Sequence, residues 1–486
     1  MAKRVTVIDI GSNSVRMVVY ERTSRFAFHL LHEEKSKVSI SQDAYQHSGN
    51  LQELPMQRTF DALSDFLSIS NSFKARKILC VATSALRDAP NKKEFLQKVK
   101  DKLKLNIKII DGHKEAYLGA IACANLLPEQ KSAISIDIGG GSTEFSFINN
   151  KTVSKTLSLE LGTVRLKELF FDQNLIEEAK VYIDSKLEAI ETNDAQTLIG
   201  IGGTFRAVSS AIMEIEGYPL NKLHAYEYQI EKLQVFVKEV LKADEEQLLN
   251  LGIKYNRLDV IKPGALILDR VLNKLSLTNA ITSGVGVREG VYLSDLLRNT
   301  KDKLPANYNT SVRHLIDAHV NDNNFSNQLN TLSKKLFDLT QAYFKLDDKY
   351  RYELGVAAKL YPIGSNIHFY SQNRHSYYLI QSALEYGFSH SQILLISTLT
   401  KYAKKKLPSS SHREKYALLL PDENSLNVLS YLLSLSIALL SHKPRNIDFE
   451  LEFKDEVLKV TSKHELYLSR DAVSKLECHK EFKVLF

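Results

Sequence analysis

Asp137-Ile138-Gly139-Gly140-Gly141-Ser142-Thr143-Glu144 sets one acid just before a triple-glycine turn and a second just after it. Glycines in a turn can take positive φ and bring no Cβ, so successive backbone N–H groups can converge on an anion, and phosphate is the natural guest. Asp137, last in its apolar run, is placed to hold a hydrated cation such as Mg2+ over that phosphate, because hard cations prefer carboxylate and water oxygens. The same text recurs at Asp9-Ile10-Gly11-Ser12-Asn13-Ser14, 128 positions earlier (137 − 9). One such turn alone is also what an ordinary glycine-rich hairpin looks like. A matched pair reads as an internal repeat whose two hairpins face each other as a phosphate clamp.

Three further stretches carry candidate groups. Thr83-Ser84-Ala85-Leu86-Arg87-Asp88 follows an apolar run at 77–82, so Arg87 leaves the end of a strand, where open α/β sheets bind ligands. There its guanidinium can grip a phosphate through two parallel hydrogen bonds, or pair with Asp88 at the surface. Glu115 falls in the first turn of a helix opening near Asp111-Gly112. An acid so placed ordinarily stabilises the helix dipole by about 0.3–1 kcal/mol; if the turn faces the clamp, it can take a proton from a water attacking phosphorus. Gly200-Ile201-Gly202-Gly203-Thr204 passes from strand into helix, a turn able to receive a distal phosphate or part of a nucleoside. Gly284 to Gly290 repeats that form.

The elements that must hold these groups show as alternating apolar runs at 5–8, 15–21, 107–110, 133–137, 143–148, 155–161 and 197–201, interleaved with helical stretches such as 56–73. Strand signals stop at the polar, turn-rich text of 298–309, where a domain boundary is expected. Leucine-rich segments of helical spacing then dominate to about residue 441, and 447–453 and 458–461 return to strand alternation. The composition, 486 residues with 44% hydrophobic and 25% charged, is that of a globular chain of several domains. Cys80, Cys123 and Cys478 make no CxxC, which argues against a disulfide framework or a structural zinc and fits a reducing cytoplasm. Met1-Ala2-Lys3-Arg4 leads straight into a strand, so no secretory signal is expected. The most apolar stretch, 427–441, is too short for a membrane span and reads as a buried helix. The net charge is +7, most of it beyond residue 300, with the strongest basic cluster at 401–406 (KYAKKK) and the loop 407–415. A solvated helix end explains such a cluster first, and a polyanion contact second.

Taken together, Asp9 to Ser14, Ala82 to Arg87, Gly112 to Ala116 around Glu115, Asp137 to Glu144, Leu161-Gly162-Thr163-Val164-Arg165-Leu166 and Gly284 to Gly290 resemble the exopolyphosphatase / guanosine pentaphosphate phosphohydrolase family, within the sugar-kinase, Hsp70 and actin superfamily. The resemblance implies an α/β fold. Two actin-like (ribonuclease H-like) domains, at 1–125 and 126–300, form a phosphate-binding cleft. A mostly α-helical domain at 301–445 and a small β-rich unit at 446–486 follow. It implies hydrolysis of a terminal phosphoanhydride, on guanosine pentaphosphate or inorganic polyphosphate, with Mg2+ or another divalent cation. Glu115 matches the general base and Arg87 the phosphate-gripping arginine. Asp9, Asp137 and Glu144 match the metal-associated acids. Gly11, Ser12, Asn13, Ser14, Gly139, Gly140, Gly141, Ser142 and Thr143 match the phosphate-binding turns, to which the residue reading adds Gly202, Gly203 and Thr204. A cytoplasmic enzyme is expected, with no DNA or membrane partner and with a dimer surface on its helical part.

One departure stands out. Longer family members carry a His-Asp pair in a pattern like Leu-His-Asp-Ile-Gly, whereas this chain reads Leu360-Tyr361-Pro362-Ile363-Gly364, which supplies no such ligands. His375, beside Arg374, keeps a family-like context, either as a polyanion contact or as a structural histidine. Two other functions compete with hydrolysis: an ATP-dependent kinase of the same superfamily, and a non-catalytic alarmone or polyphosphate sensor.

Overall fold

The computed structural model describes residues 3–191, 195–404, 406–477 and 483–486, and divides into two compact units, Met1–Tyr308 and Asn309–Phe486. Cys478, and Lys405 of the basic cluster, lie outside the described residues.

In chain order the first unit begins β1 (Arg4–Ile10), β2 (Val15–Arg22), β3 (Phe28–Ser36), α1 (Glu53–Ser72), β4 (Lys77–Ala82), α2 (Ser84–Asp88), α3 (Lys92–Leu103), β5 (Lys108–Ile109) and α4 (Gly112–Leu126). It continues β6 (Ser132–Ile138), β7 (Thr143–Asn149), β8 (Thr152–Leu159), α5 (Thr163–Leu169), α6 (Ile176–Leu187), β9 (Thr197–Ile201), α7 (Gly202–Ile215), β10 (Tyr226–Gln229), α8 (Ile230–Lys242), α9 (Glu245–Asn250), α10 (Leu258–Lys274), β11 (Asn279–Thr282) and α11 (Val287–Leu296). Two sheets result, ordered β3-β2-β1-β4-β5 and β10-β11-β9-β6-β7-β8. In each, an antiparallel three-strand meander is extended by strands parallel to its first member, β4 and β5 in one case, β9 and β11 in the other. The repeat visible in the two Asp-Ile-Gly stretches is thus a repeat of architecture. β1 and β6 are apolar almost throughout because each lies inside its sheet with both faces covered.

Two crossing helices tie the sheets together. α4 follows the first sheet but packs on β7 and β8 of the second, while α11 follows the second sheet but packs on α4 and β1. Tyr20 on β2 reaches α11, stacking 4.5 Å from Tyr292 and donating its hydroxyl to Glu289 at 2.5 Å. At the crossing, a Cβ on Gly290 would overlap the backbone carbonyl of Leu118, so no rotamer change can make room. Gly290→Ala is therefore expected to destabilise the unit by about 3 kcal/mol, read as a fall in the urea midpoint.

The second unit is helical: α12 (Thr310–His319), α13 (Asn324–Phe344), α14 (Tyr350–Leu360), α15 (Gln372–Ala383), α16 (His390–Tyr402), α17 (Ser410–Lys415) and α18 (Glu423–Leu439), followed by β12 (Phe449–Lys454), β13 (Val457–Ser462), α19 (Tyr467–Ser474) and β14 (Lys483–Leu485). β12 and β13 form the expected hairpin, and β14 pairs parallel to β13. Leu329, Leu336, Phe337, Leu354, Leu399 and Leu432 lie in one core. α18 is the buried helix read at 427–441, and among the described residues no helix is long and apolar enough to cross a membrane. Tyr361 is buried at the start of a 3-10 helix (Tyr361–Asn366), where its carbonyl accepts the Ser376 hydroxyl at 2.7 Å. Arg374 is exposed and His375 half-buried on α15. Lys401, in the basic cluster, is engaged rather than free: its ammonium donates to His412 Nδ1 at 3.2 Å and lies 4.8 Å from the Tyr377 ring centroid.

Candidate functional site

Both hairpin turns close with the same bond. The Gly11 N–H donates to the Ser14 carbonyl at 3.2 Å, and the Gly139 N–H to the Ser142 carbonyl at 2.9 Å. The other carbonyls decide what the turns can bind. The Gly139 carbonyl accepts from the Thr163 N–H at 2.9 Å, that of Gly140 from Val164 and Arg165 at 2.9 and 3.1 Å, and that of Gly141 from the Arg165 Nε–H at 3.0 Å. A peptide unit is planar and trans, so a carbonyl pinned one way aims the following N–H the other way. The N–H groups of Gly140, Gly141 and Ser142 take no acceptor among the described residues, and together they form an anion nest. In the first turn the Ser12 carbonyl accepts from both the N–H and the hydroxyl of Ser41, and the Asn13 carbonyl from the Ser39 N–H at 3.0 Å. By the same geometry this aims the N–H groups of Asn13 and Ser14. The turns meet closely: a Cβ on Gly140 would fall 2.7 Å from Ser12 Cβ, and one on Gly141 would fall 2.7 Å from Ser84 Oγ.

Glu115 is fixed by the start of α4, where the Asp111 carboxylate accepts the Lys114 N–H at 2.8 Å. Its first-turn position faces the cleft. Arg87 comes from the short helix α2 rather than a loop. Its Nη1 donates to Glu115 Oε2 at 2.9 Å and to the Ile110 carbonyl at 3.3 Å, and its Nη2 to Ser142 Oγ at 3.5 Å. Its Nε also lies 3.4 Å from Asp88, so the pairing with Asp88 foreseen for this arginine is made. Glu144 is buried and accepts the Ser158 hydroxyl at 2.8 Å. Asp137 lies against Gly202, whose φ of +84° and missing Cβ leave the carboxylate its place.

These acids crowd one part of the cleft, and burial acts on each of them. It pushes Asp137 to about 6 against Arg206, and Glu144 to about 7 with Asp137 nearby. Burial and then Glu144 hold Glu115 well above the usual carboxylate range, although Arg87 pulls the other way. Asp9 is raised by burial, and its Oδ1 is buried with no hydrogen-bond partner among the described residues. Lys35, Arg16 and Arg257 also line the cleft, with no carboxylate within 4.0 Å of these three among the described residues. Burial and the neighbouring Arg16 and Arg257 lower Lys35 to about 8, and burial with Arg288 lowers Arg206 to about 10. The cleft therefore has an acidic part that needs a cation and a basic part that needs an anion.

The raised acids also make a stability prediction. A carboxylate whose folded value exceeds its free value supports the fold while protonated, so its contribution is complete below about pH 4 and is lost as pH climbs through about 6 for Asp137 and 7 for Glu144. The melting temperature of the metal-free protein is expected to fall across that interval, and Glu144→Gln to flatten the slope.

Most expected residues meet in this cleft: Asp9, Gly11, Ser12, Asn13, Ser14, Glu115, Asp137, Gly139, Gly140, Ser142, Glu144, Gly202, Gly203 and Thr204 all line it. Thr143 is a correction. It is the first residue of β7, is fully buried, and donates its hydroxyl to the Leu161 carbonyl at 2.6 Å, so that group is not offered to a phosphate. Asp9, Asp137 and Glu144 share the cleft, and among the described residues no group of three or more His, Cys, Asp or Glu side chains forms a cage for a metal ion. Mg2+ keeps several waters and takes one or two carboxylates plus substrate phosphates, so these acids, with the orphaned Asp9 oxygen, still suit a hydrated divalent ion. Arg16, Lys35 and Arg257 were not foreseen. Arg16 had a signal, a lone charge in the apolar run 15–19, paired in register with Asp9.

Residues 18–299 match the Ppx/GppA phosphatase family and residues 308–480 match Ppx/GppA phosphatase, domain III. The chain is 28% identical over 465 residues to a guanosine-5'-triphosphate,3'-diphosphate pyrophosphatase of Vibrio vulnificus, covering 93% of this chain and 90% of the relative. It is 31% identical over 289 residues to a bifunctional 3-dehydroquinate synthase/phosphatase of Fusobacterium nucleatum, covering 55% of this chain but only 42% of that one. Among solved structures, an exopolyphosphatase from Cytophaga hutchinsonii aligns along its whole length with 62% of this chain, at 25% identity and a TM-score of 0.56.

Proposed function

This chain belongs to the Ppx/GppA phosphatase family, and on that premise we propose that its cleft releases the terminal phosphate of guanosine pentaphosphate, giving the tetraphosphate, and of inorganic polyphosphate. The observation that carries the reading is the Arg87–Glu115 pair, 2.9 Å apart, beside two facing turns whose carbonyls are anchored so that their N–H groups remain donors. A terminal phosphate lies between the turns at 11–14 and 139–142, its oxygens taking those N–H groups. Glu115, oriented by Arg87, accepts a proton from a water as that water's oxygen bonds to phosphorus and the bond to the bridging oxygen breaks. Its raised proton affinity makes it a stronger base than an ordinary carboxylate. The rest of the substrate chain lies along Arg16, Lys35 and Arg257, whose charges it neutralises. Asp9, Asp137 and Glu144 would hold a hydrated Mg2+, which when bound neutralises charge on the phosphates.

On this reading residues 1–125 and 126–300 are the two halves of the clamp, with the helical domain at 301–445 and the β unit at 446–486 attached. A cytoplasmic setting accords with the buried, unpaired Cys80 and Cys123. The test is orthophosphate release from guanosine pentaphosphate and from polyphosphate, side by side, with Mg2+ and with a chelator. Release from both that stops on chelation is expected; binding without turnover would make the protein a sensor.

A further inference from the structure

Arg165, in the first turn of α5, joins the glycine turn to the residues around Arg87. Arg165 is 13% exposed in its side chain and reaches three things at once. Its Nε–H donates to the Gly141 carbonyl at 3.0 Å, its Nη2 lies 3.4 Å from Asp88 Oδ2, and its guanidinium stacks 4.7 Å from the Tyr45 ring centroid. Asp88 in turn turns its other oxygen to Arg87 Nε at 3.4 Å. One helical turn on, the buried Glu168 accepts the N–H groups of Asp43 at 2.9 Å and Tyr45 at 3.2 Å, holding Tyr45 where it packs against Arg165.

We propose that Arg165 is a positioning residue that aims the Ser142 N–H at the terminal phosphate and, through Asp88, sets the angle of Arg87 against Glu115. Backbone N–H donors from α5 pin the carbonyls of Gly139 and Gly140, but for Gly141 that job falls to a side chain. Without it the 141–142 peptide can rotate, and the third donor of the nest is lost. Arg165 is thus fixed by Tyr45 and Asp88 on the first sheet's connections and by Gly140 and Gly141 on the second's. Distal phosphates rest on Arg16, Lys35 and Arg257, so the effect falls on turnover more than on substrate affinity.

The inference rests on the cleft being a phosphate site, and a binding measurement separates the two. In Arg165→Gln, kcat for phosphate release is expected to fall about 30-fold with KM changed less than threefold and an unaltered melting temperature. Arg165→Lys keeps a single donor for the Gly141 carbonyl and is expected to recover part of that loss. Independently of turnover, calorimetry with orthovanadate, whose five-coordinate form mimics the transition state at phosphorus, should show affinity at least about tenfold weaker for Arg165→Gln than for the unmodified protein. Turnover within twofold of the unmodified protein, or equal orthovanadate binding by both, overturns the proposal. If neither protein releases phosphate, the proposed reaction fails while the binding comparison still decides the role of Arg165.

Discussion

Glu115→Gln is expected to lower kcat for phosphate release by about 10^3, within the 10^2–10^4 that a positioned general base contributes. Glutamine keeps the size of the side chain and can still meet Arg87 through its amide oxygen, so α4 and its Asp111 cap are undisturbed. What disappears is the ability to take a proton. Burial and Glu144 already disfavour the charge on Glu115, so removing it relieves the fold, and the melting temperature at pH 8 should stay level or rise. Circular dichroism melts alongside the assay separate lost chemistry from lost structure. Near-normal turnover in a folded Glu115→Gln protein would remove Glu115 from the role of base.

Arg87→Lys should also cost heavily, about 10^2 in kcat, although it preserves the charge. The guanidinium serves Glu115, the Ile110 carbonyl and Ser142 from one planar group. An ammonium is a point charge that cannot span these positions while keeping a bidentate face for phosphate. Its loss also weakens the hydrogen-bonded pairing that opposes the raising of Glu115's proton affinity, so the acid limb of the pH–rate profile is expected to move to higher pH. Steady-state rates at a series of pH values measure both effects, and an unshifted acid limb with full activity would show that Arg87 does not act on Glu115.

The parts of this site that local sequence dictates were open to reading before any coordinates. The turns at 11–14 and 139–142 announce themselves because strand, acid and glycine must be adjacent for a hairpin to present its N–H groups. Glu115 was legible as a first-turn acid, but its direction depends on α4 crossing to the second sheet, which no local pattern encodes. The hinge of the nest, the carbonyl anchors at 39–41 and 163–165, stayed hidden because each anchor lies more than 20 residues from the turn it serves. Arg257, at the end of a 3-10 turn (Tyr255–Arg257) before α10, meets Arg16 and Lys35 only through the fold. β3 and β10, both at sheet edges, carry mixed polar and apolar residues and escaped notice for that reason. Thr143 looked like part of the cradle because it abuts the glycines, but side chains alternate along a strand and its hydroxyl belongs to the Leu161 carbonyl.

The most direct test of phosphoryl transfer to water in this cleft is hydrolysis of guanosine pentaphosphate in water enriched in 18O, with mass analysis of both products. Attack by a Glu115-activated water on the terminal phosphorus places one 18O atom in each released orthophosphate and none in the guanosine tetraphosphate. Label in the tetraphosphate, or transfer of the phosphoryl group to an acceptor without labelled orthophosphate, would contradict it.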